Sequence, residues 1–202
     1  MFLNEHRNHW YSTGSYFWCK NLFEFLRFAV INYMIIFISY YASSQPDLNY
    51  WYQGFWEIPD RFLQFVLYFF LGIFNFQGFV ILINAIYLQS ANSFQSSMII
   101  SFSISVLMIL GMGFFIPVYS MPYFVQILNY PNYKRIYFES ILLILYKERC
   151  ELTSIVFNSY GINESQLTFN LYILIIEGVI LRIIGLIVVL FKSNSYQKQS
   201  LI

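Results

Sequence analysis

Four strongly apolar stretches, Leu22–Tyr41, Phe62–Asn84, Met98–Ile116 and Thr168–Phe191, fill most of this chain. Each is close to the roughly 20 residues that carry an α-helix across a bilayer. No water-soluble core hides that much apolar surface: 58% of the residues are hydrophobic and 10% are charged, where a soluble domain carries roughly 25% charged residues. The expected fold class is an all-α membrane protein with four transmembrane helices in a single domain. A net charge of +1 argues against nucleic-acid binding, which leans on clustered Lys and Arg. The opening run Asn4-Glu5-His6-Arg7-Asn8-His9 is polar, unlike the basic and then apolar start of a cleavable signal peptide.

Lys and Arg in the flanks set the expected orientation. Arg7, Lys20, Lys192 and Lys198 flank the two ends, whereas Ala42–Asp60 carries Asp47, Glu57 and Asp60 and no Lys or Arg. The positive-inside rule then places both termini in the cytoplasm. The short Ala85–Ser97 connection falls on the same side, as does the tail 192–202. Pro117–Leu167 falls outside, with Trp51, Tyr52, Trp56 and Tyr119 at the outer aromatic belt. Within that outer segment, Met121–Leu128 and Ile136–Tyr146 are apolar but too short to cross. They are expected to form a re-entrant helical hairpin, which is tolerated where protein or water covers its turn.

Little local chemistry stands out. No Gly-x-x-x-x-Gly-Lys-Ser/Thr loop occurs, so the chain has no visible cradle for a nucleotide phosphate. No catalytic residues are assigned. His6 and His9 lack a nearby third ligand, so no metal site is expected. Cys19 and Cys150 fall on opposite sides of the membrane in this topology, which excludes a bridge between them; Cys150 remains a candidate for pairing across a dimer. Asn163, in Asn163-Glu164-Ser165, is the one glycosylation sequon. Four ionisable residues fall within spans: Glu24, Arg27, Glu177 and Arg182. Each costs about 2.5 to 3.5 kcal/mol at mid-membrane on the insertion scale. Glu24 and Arg27 are spaced to pair along one face, whereas Glu177 and Arg182 point about 140° apart and are expected to find partners on other helices. Such residues serve as helix-to-helix contacts or as a polar relay in transport.

Four stretches, in order, carry a family resemblance. Glu5-His6-Arg7-Asn8-His9-Trp10-Tyr11-Ser12 with Ser15-Tyr16 is similar to Glu-Arg-x-x-Gly-x-Tyr-Ser followed by Ser-Tyr. Gly113-Phe114-Phe115-Ile116-Pro117 with Ser120-Met121-Pro122 is similar to Gly-Phe-Phe-x-x and Ser-x-Pro. Arg135-Ile136-Tyr137-Phe138-Glu139-Ser140-Ile141 is similar to Arg-Tyr-Ala-Phe-Glu-Ala-Leu, and Asn170-Leu171 leads to Arg182 as Asn-Leu leads to Phe-Arg. Over about residues 2–192 the chain resembles the transmembrane domain of G-subfamily ABC transporters, the white and pleiotropic-drug-resistance type.

The resemblance implies a partial ABC type 2 exporter domain that lacks the nucleotide-binding domain and the first two family spans. It makes residues 1–21 a cytoplasmic coupling segment in which Glu5, His6, Arg7 and Tyr11 meet an ATPase. Phe114 and Phe115 then fall at an apolar plug between an inner and an outer cavity, although ordinary aromatic packing accounts for them as well. Arg135 and Glu139, four apart, brace the outer re-entrant segment as an ion pair. The implied partners are a nucleotide-binding domain in cis or trans, with its ATP and Mg, and a second transmembrane domain as homo- or heterodimer. Some positions depart from the family pattern. His6 stands for Arg, His9 for Gly, and Leu26 for a frequent Pro, which makes the first helix straighter. The expected function is the membrane-spanning part of an exporter of a lipid, sterol or drug. The alternative is a non-transporting subunit that assembles with a full transporter.

Overall fold

The computed structural model describes residues 12–42, 60–88, 93–116, 120–146, 157, 160–162 and 164–199. They form six helices: α1 (Thr13–Ala42), α2 (Asp60–Ile86), α3 (Ser93–Gly111), α4 (Tyr123–Asn129), α5 (Tyr133–Tyr146) and α6 (Leu167–Gln199), the last preceded by the 3-10 turn Glu164–Gln166. No strand occurs among the described residues. Three of the helices contain stretches long and apolar enough to cross a membrane, Thr13–Ile38, Phe62–Ile86 and Leu167–Ser193. The apolar part of α3, Gln95–Gly111, is shorter.

The span expected over 98–116 is thus shifted toward the N-terminus. α3 starts at Ser93 and stops at Gly111, and residues 113–116 form bends. Gly113 adopts a φ of 97°, the left-handed conformation with which helices commonly end. Gly111, the last helical residue, leaves room for Asn129: a Cβ there would lie 2.1 Å from its Oδ1. α1 extends in the other direction. It begins at Thr13 rather than Leu22, and Ser12 caps it by accepting the Ser15 backbone N–H at 3.2 Å. The polar stretch ahead of the first apolar run is therefore helical from Thr13 onward, in line with the span that follows.

α2 is the hub. It packs along α6 over most of its length and also touches α1, α3 and α5. A glycine admits the closest approach: a Cβ on Gly178 of α6 would lie 2.5 Å from the Phe74 ring of α2, the small-residue contact by which membrane helices approach one another. Polar groups lock the same seam. Asn75, fully buried, donates from Nδ2 to the Leu174 carbonyl at 2.9 Å. The Tyr68 hydroxyl donates to the Leu167 carbonyl at 2.6 Å, and Lys192 Nζ donates to the Ile86 carbonyl. Much of the outer surface is apolar, with Phe23, Val30, Leu107 and Phe191 fully presented. Contiguous apolar exposure on that scale is alien to a soluble monomer and suits a lipid-facing surface.

α4 and α5 form one two-helix segment. Its turn, Asn129–Asn132, lies against α3: Asn132 Nδ2 donates to the Met108 carbonyl at 2.9 Å and to Asn129 Oδ1 at 3.4 Å. Lys134, at the start of α5, reaches the Ser105 carbonyl at 3.0 Å and sits 5.8 Å from the centre of the Phe76 ring. At 1.5 Å per residue, Phe76 lies about 15 Å from one end of α2 and about 24 Å from the other. The turn therefore sits beside the middle of the helix bundle and not at its end.

Candidate functional site

The α4–α5 segment leaves room on one face of α2. A cavity of about 480 Å³ opens there, within the roughly 300 to 1,000 Å³ typical of small-molecule sites. α1 contributes Glu24, Phe28 and Asn32 on one side. Ile109 and Met112, together with Tyr133, Lys134 and Tyr137 of α5, line the other, and the floor is α2 from Phe69 to Ile81. Most of the lining is aromatic or aliphatic, with Glu24, Asn32, Gln77 and Lys134 as its strongly polar groups. A smaller cavity of about 120 Å³ lies toward the Thr13 end of α1, lined in part by Lys20, Asn21 and Asn84. Glu24 borders both.

Gln77 joins the cavity floor to the helix seam. Its Nε2 donates to the Asn21 carbonyl of α1 at 2.9 Å, and its Oε1 accepts from Arg182 Nη2 of α6 at 3.0 Å. Arg182 Nη1 donates to the carbonyls of Phe74 at 2.9 Å and Gly178 at 3.1 Å. Its guanidinium carbon sits over the Phe74 ring, 3.4 Å from the centroid. An arginine only 4% exposed is thereby bound on three sides, as a buried charge requires. Gln77 and Phe74 are the contributors that sequence reasoning missed. A glutamine inside an apolar stretch was the available signal.

The ionisable residues singled out from sequence separate into distinct roles. Arg182 turns to α2, while Glu177 lies near Tyr133 at the first turn of α5. The two thus find partners on different helices, as their angular separation requires. Glu24 and Arg27 do not pair, among the described residues: the Arg27 guanidinium sits 5.3 Å from the Phe28 ring centre, and Glu24 faces the cavities. Arg135 Nε donates to Glu139 Oε1 at 2.7 Å, the i to i+4 ion pair its spacing suggests.

Phe114 and Phe115 do not line the cavity. They stack edge to face at 5.0 Å, and Phe114 meets Phe138 of α5 at 5.8 Å. Both remain exposed, at 51% and 63%. Asn170 Nδ2 donates to Ser140 Oγ at 3.2 Å. Three of the four motif stretches noted above therefore converge around α5. Most of the fourth lies outside the described residues, including Glu5, His6, Arg7 and Tyr11, as do Cys150 and Asn163. Cys19 is exposed as a free thiol on α1.

Residues 1–146 match the family model described as ABC-2 type transporter. The chain belongs to that family. The matched region spans α1 to α5, so it contains both walls and the floor of the cavity. Membership makes the chain a membrane component of a transporter, consistent with its three long apolar helices. α6 lies beyond the matched residues yet packs along α2 as part of the same bundle.

Proposed function

We propose that this ABC-2 family member is the membrane-spanning part of an ATP-driven exporter of the G-subfamily type, and that the cavity beside α2 receives a hydrophobic or amphipathic substrate such as a lipid, sterol or drug. The observation that carries this reading is an apolar cavity of about 480 Å³ inside the region matching a transporter family. In this reading α3 completes a fourth crossing, since its 19 residues rise about 28 Å against a hydrocarbon core of about 30 Å. α4 and α5 form the outer re-entrant hairpin, and both termini face the cytoplasm.

ATP, with Mg, binds a nucleotide-binding domain in cis or in trans, and residues 1–21 transmit its closure. Phe114 and Phe115, exposed here, meet a second transmembrane domain and exclude water between the inner and outer cavities. Closure of the nucleotide sites shifts the dimer toward its outward-open state through differential affinity for the two states.

The test is purification of the native complex with an antibody against the Lys192–Ile202 tail, followed by photolabelling with an azido-ATP analogue in the presence of Mg and vanadate. Labelling of the same or a co-purifying polypeptide, with ATP-dependent substrate uptake into inside-out vesicles, is the expected result. A homogeneous complex that binds no nucleotide points to a non-transporting subunit and overturns the proposal.

A further inference from the structure

The cavity beside α2 is apolar in bulk yet carries two opposite charges with no ionic partner among the described residues. Lys134 donates one side-chain hydrogen bond, to the Ser105 carbonyl, and among the described residues neither it nor Glu24 has an ion pair and Glu24 has no hydrogen bond. Both border the same stretch of α2, Phe69 to Ile81. Phe25, next to Glu24, packs against Phe74 at 5.8 Å, and Lys134 sits over Phe76 at 5.8 Å. They approach from different walls, Glu24 from α1 and Lys134 from α5. Charged groups in an apolar cleft are costly unless something pairs with them, and here both line the same space.

We infer that the cavity binds a zwitterionic amphiphile, its anionic group on Lys134, its cationic group facing Glu24, and its apolar chain along Phe28, Phe69, Ile73 and Ile109. A purely anionic ligand leaves Glu24 unpaired, a purely cationic one leaves Lys134 unpaired, and a sterol satisfies neither. This inference names the ligand class for the site in the functional proposal and rests on reading the cavity as that site.

The experiment uses the whole chain in nonionic maltoside micelles without nucleotide, so it reads binding and not transport. Three fluorescent single-chain probes of equal tail length are titrated: a phosphocholine, an alkyl sulfate and an alkyl trimethylammonium. The phosphocholine is expected to bind about tenfold more tightly than either single-charge probe, the weight of one charge-assisted hydrogen bond. Glu24→Gln and Lys134→Gln are each expected to remove that margin, and the double swap Glu24→Lys with Lys134→Glu to restore part of it. Equal binding of all three probes by the unaltered chain, or no binding of any, overturns the inference even if a variant does not fold. Phosphocholine binding without ATP-driven movement of the probe keeps the ligand assignment and removes the exporter reading. In nanodiscs, competition by excess diacyl phosphocholine assigns the occupant to bilayer lipid; retention of the single-chain probe assigns it to a free amphiphile.

Discussion

Gly178→Ala tests the central seam of the bundle with one methyl group. The added Cβ would lie 2.5 and 2.6 Å from two carbons of the Phe74 ring and 3.2 Å from Asn75 Oδ1, where carbon contacts settle at about 3.5 to 4.0 Å. The ring must retreat by about 1 Å to restore such a contact. It is held on its other sides by the Arg182 guanidinium and by Phe25 at 5.8 Å. Overpacking costs about 1 to 3 kcal/mol, and this confinement places the site near 3 kcal/mol. Alanine recovers about 1 kcal/mol of helix propensity over glycine, leaving a net loss of about 2 kcal/mol.

At about 2 to 4 °C per kcal/mol for a chain of this size, the thermal midpoint in detergent falls by about 4 to 8 °C. The control is Gly14→Ala, where an added Cβ meets nothing within 4 Å; its midpoint stays level or rises slightly. Phe74→Leu in a double-mutant cycle with Gly178→Ala gives the pairwise term, expected to relieve at least about 1 kcal/mol of the summed losses. A Gly178→Ala midpoint within 1 °C of the unaltered chain would show that α2 and α6 do not meet in this register.

Arg135→Gln is expected to lower stability by about 0.5 to 1 kcal/mol; a cycle with Glu139→Gln should return most of that as coupling that weakens with added salt. Phe114→Ala combined with Phe115→Ala should raise ATP-independent substrate leak from loaded vesicles severalfold, whereas unchanged leak with reduced thermal stability restricts the two rings to packing against Phe138. In a Cys150→Ser background, a membrane-impermeant maleimide is expected to label Cys19 only after permeabilisation; labelling of sealed cells reverses the proposed orientation.

The membrane character was legible because apolar length is a property of sequence alone. The Arg135–Glu139 pair was equally legible, since a helix fixes which residues stand one turn apart. The end of α3 was not. Gly111 and Gly113 stand in an apolar run with no charge or proline until Pro117, and what surrounds that end is set by packing: the side chain of Asn129 fills the space a Cβ on Gly111 would need. Glu24 and Arg27 failed to pair for a related reason. Their spacing permits contact, but the ring of Phe28 and the cavity each offer a competing place. The cavity itself depends on where the hairpin turn rests, a long-range packing outcome that no local pattern encodes.

Register poses a particular difficulty for such a bundle. Lipid tails are as apolar as leucine, so burying an aliphatic face against another helix gives little preference over leaving it in lipid, and packing shape and hydrogen bonds must choose the alignment. The chain from Asn21 through Gln77 to Arg182 supplies that choice for three helices at once, because a slide of α1 or α6 along α2 separates donor from acceptor at a buried charge. A methionine in place of Arg182 would remove the desolvation cost and retain an apolar seam, yet it would also remove the contact that distinguishes one register from the next. The value of the buried arginine is therefore conformational specificity, the best-attested use of such groups. Because Gln77 is also part of the cavity floor, a ligand that presses on its side chain acts on the alignment of α1 and α6 through hydrogen bonds already in place.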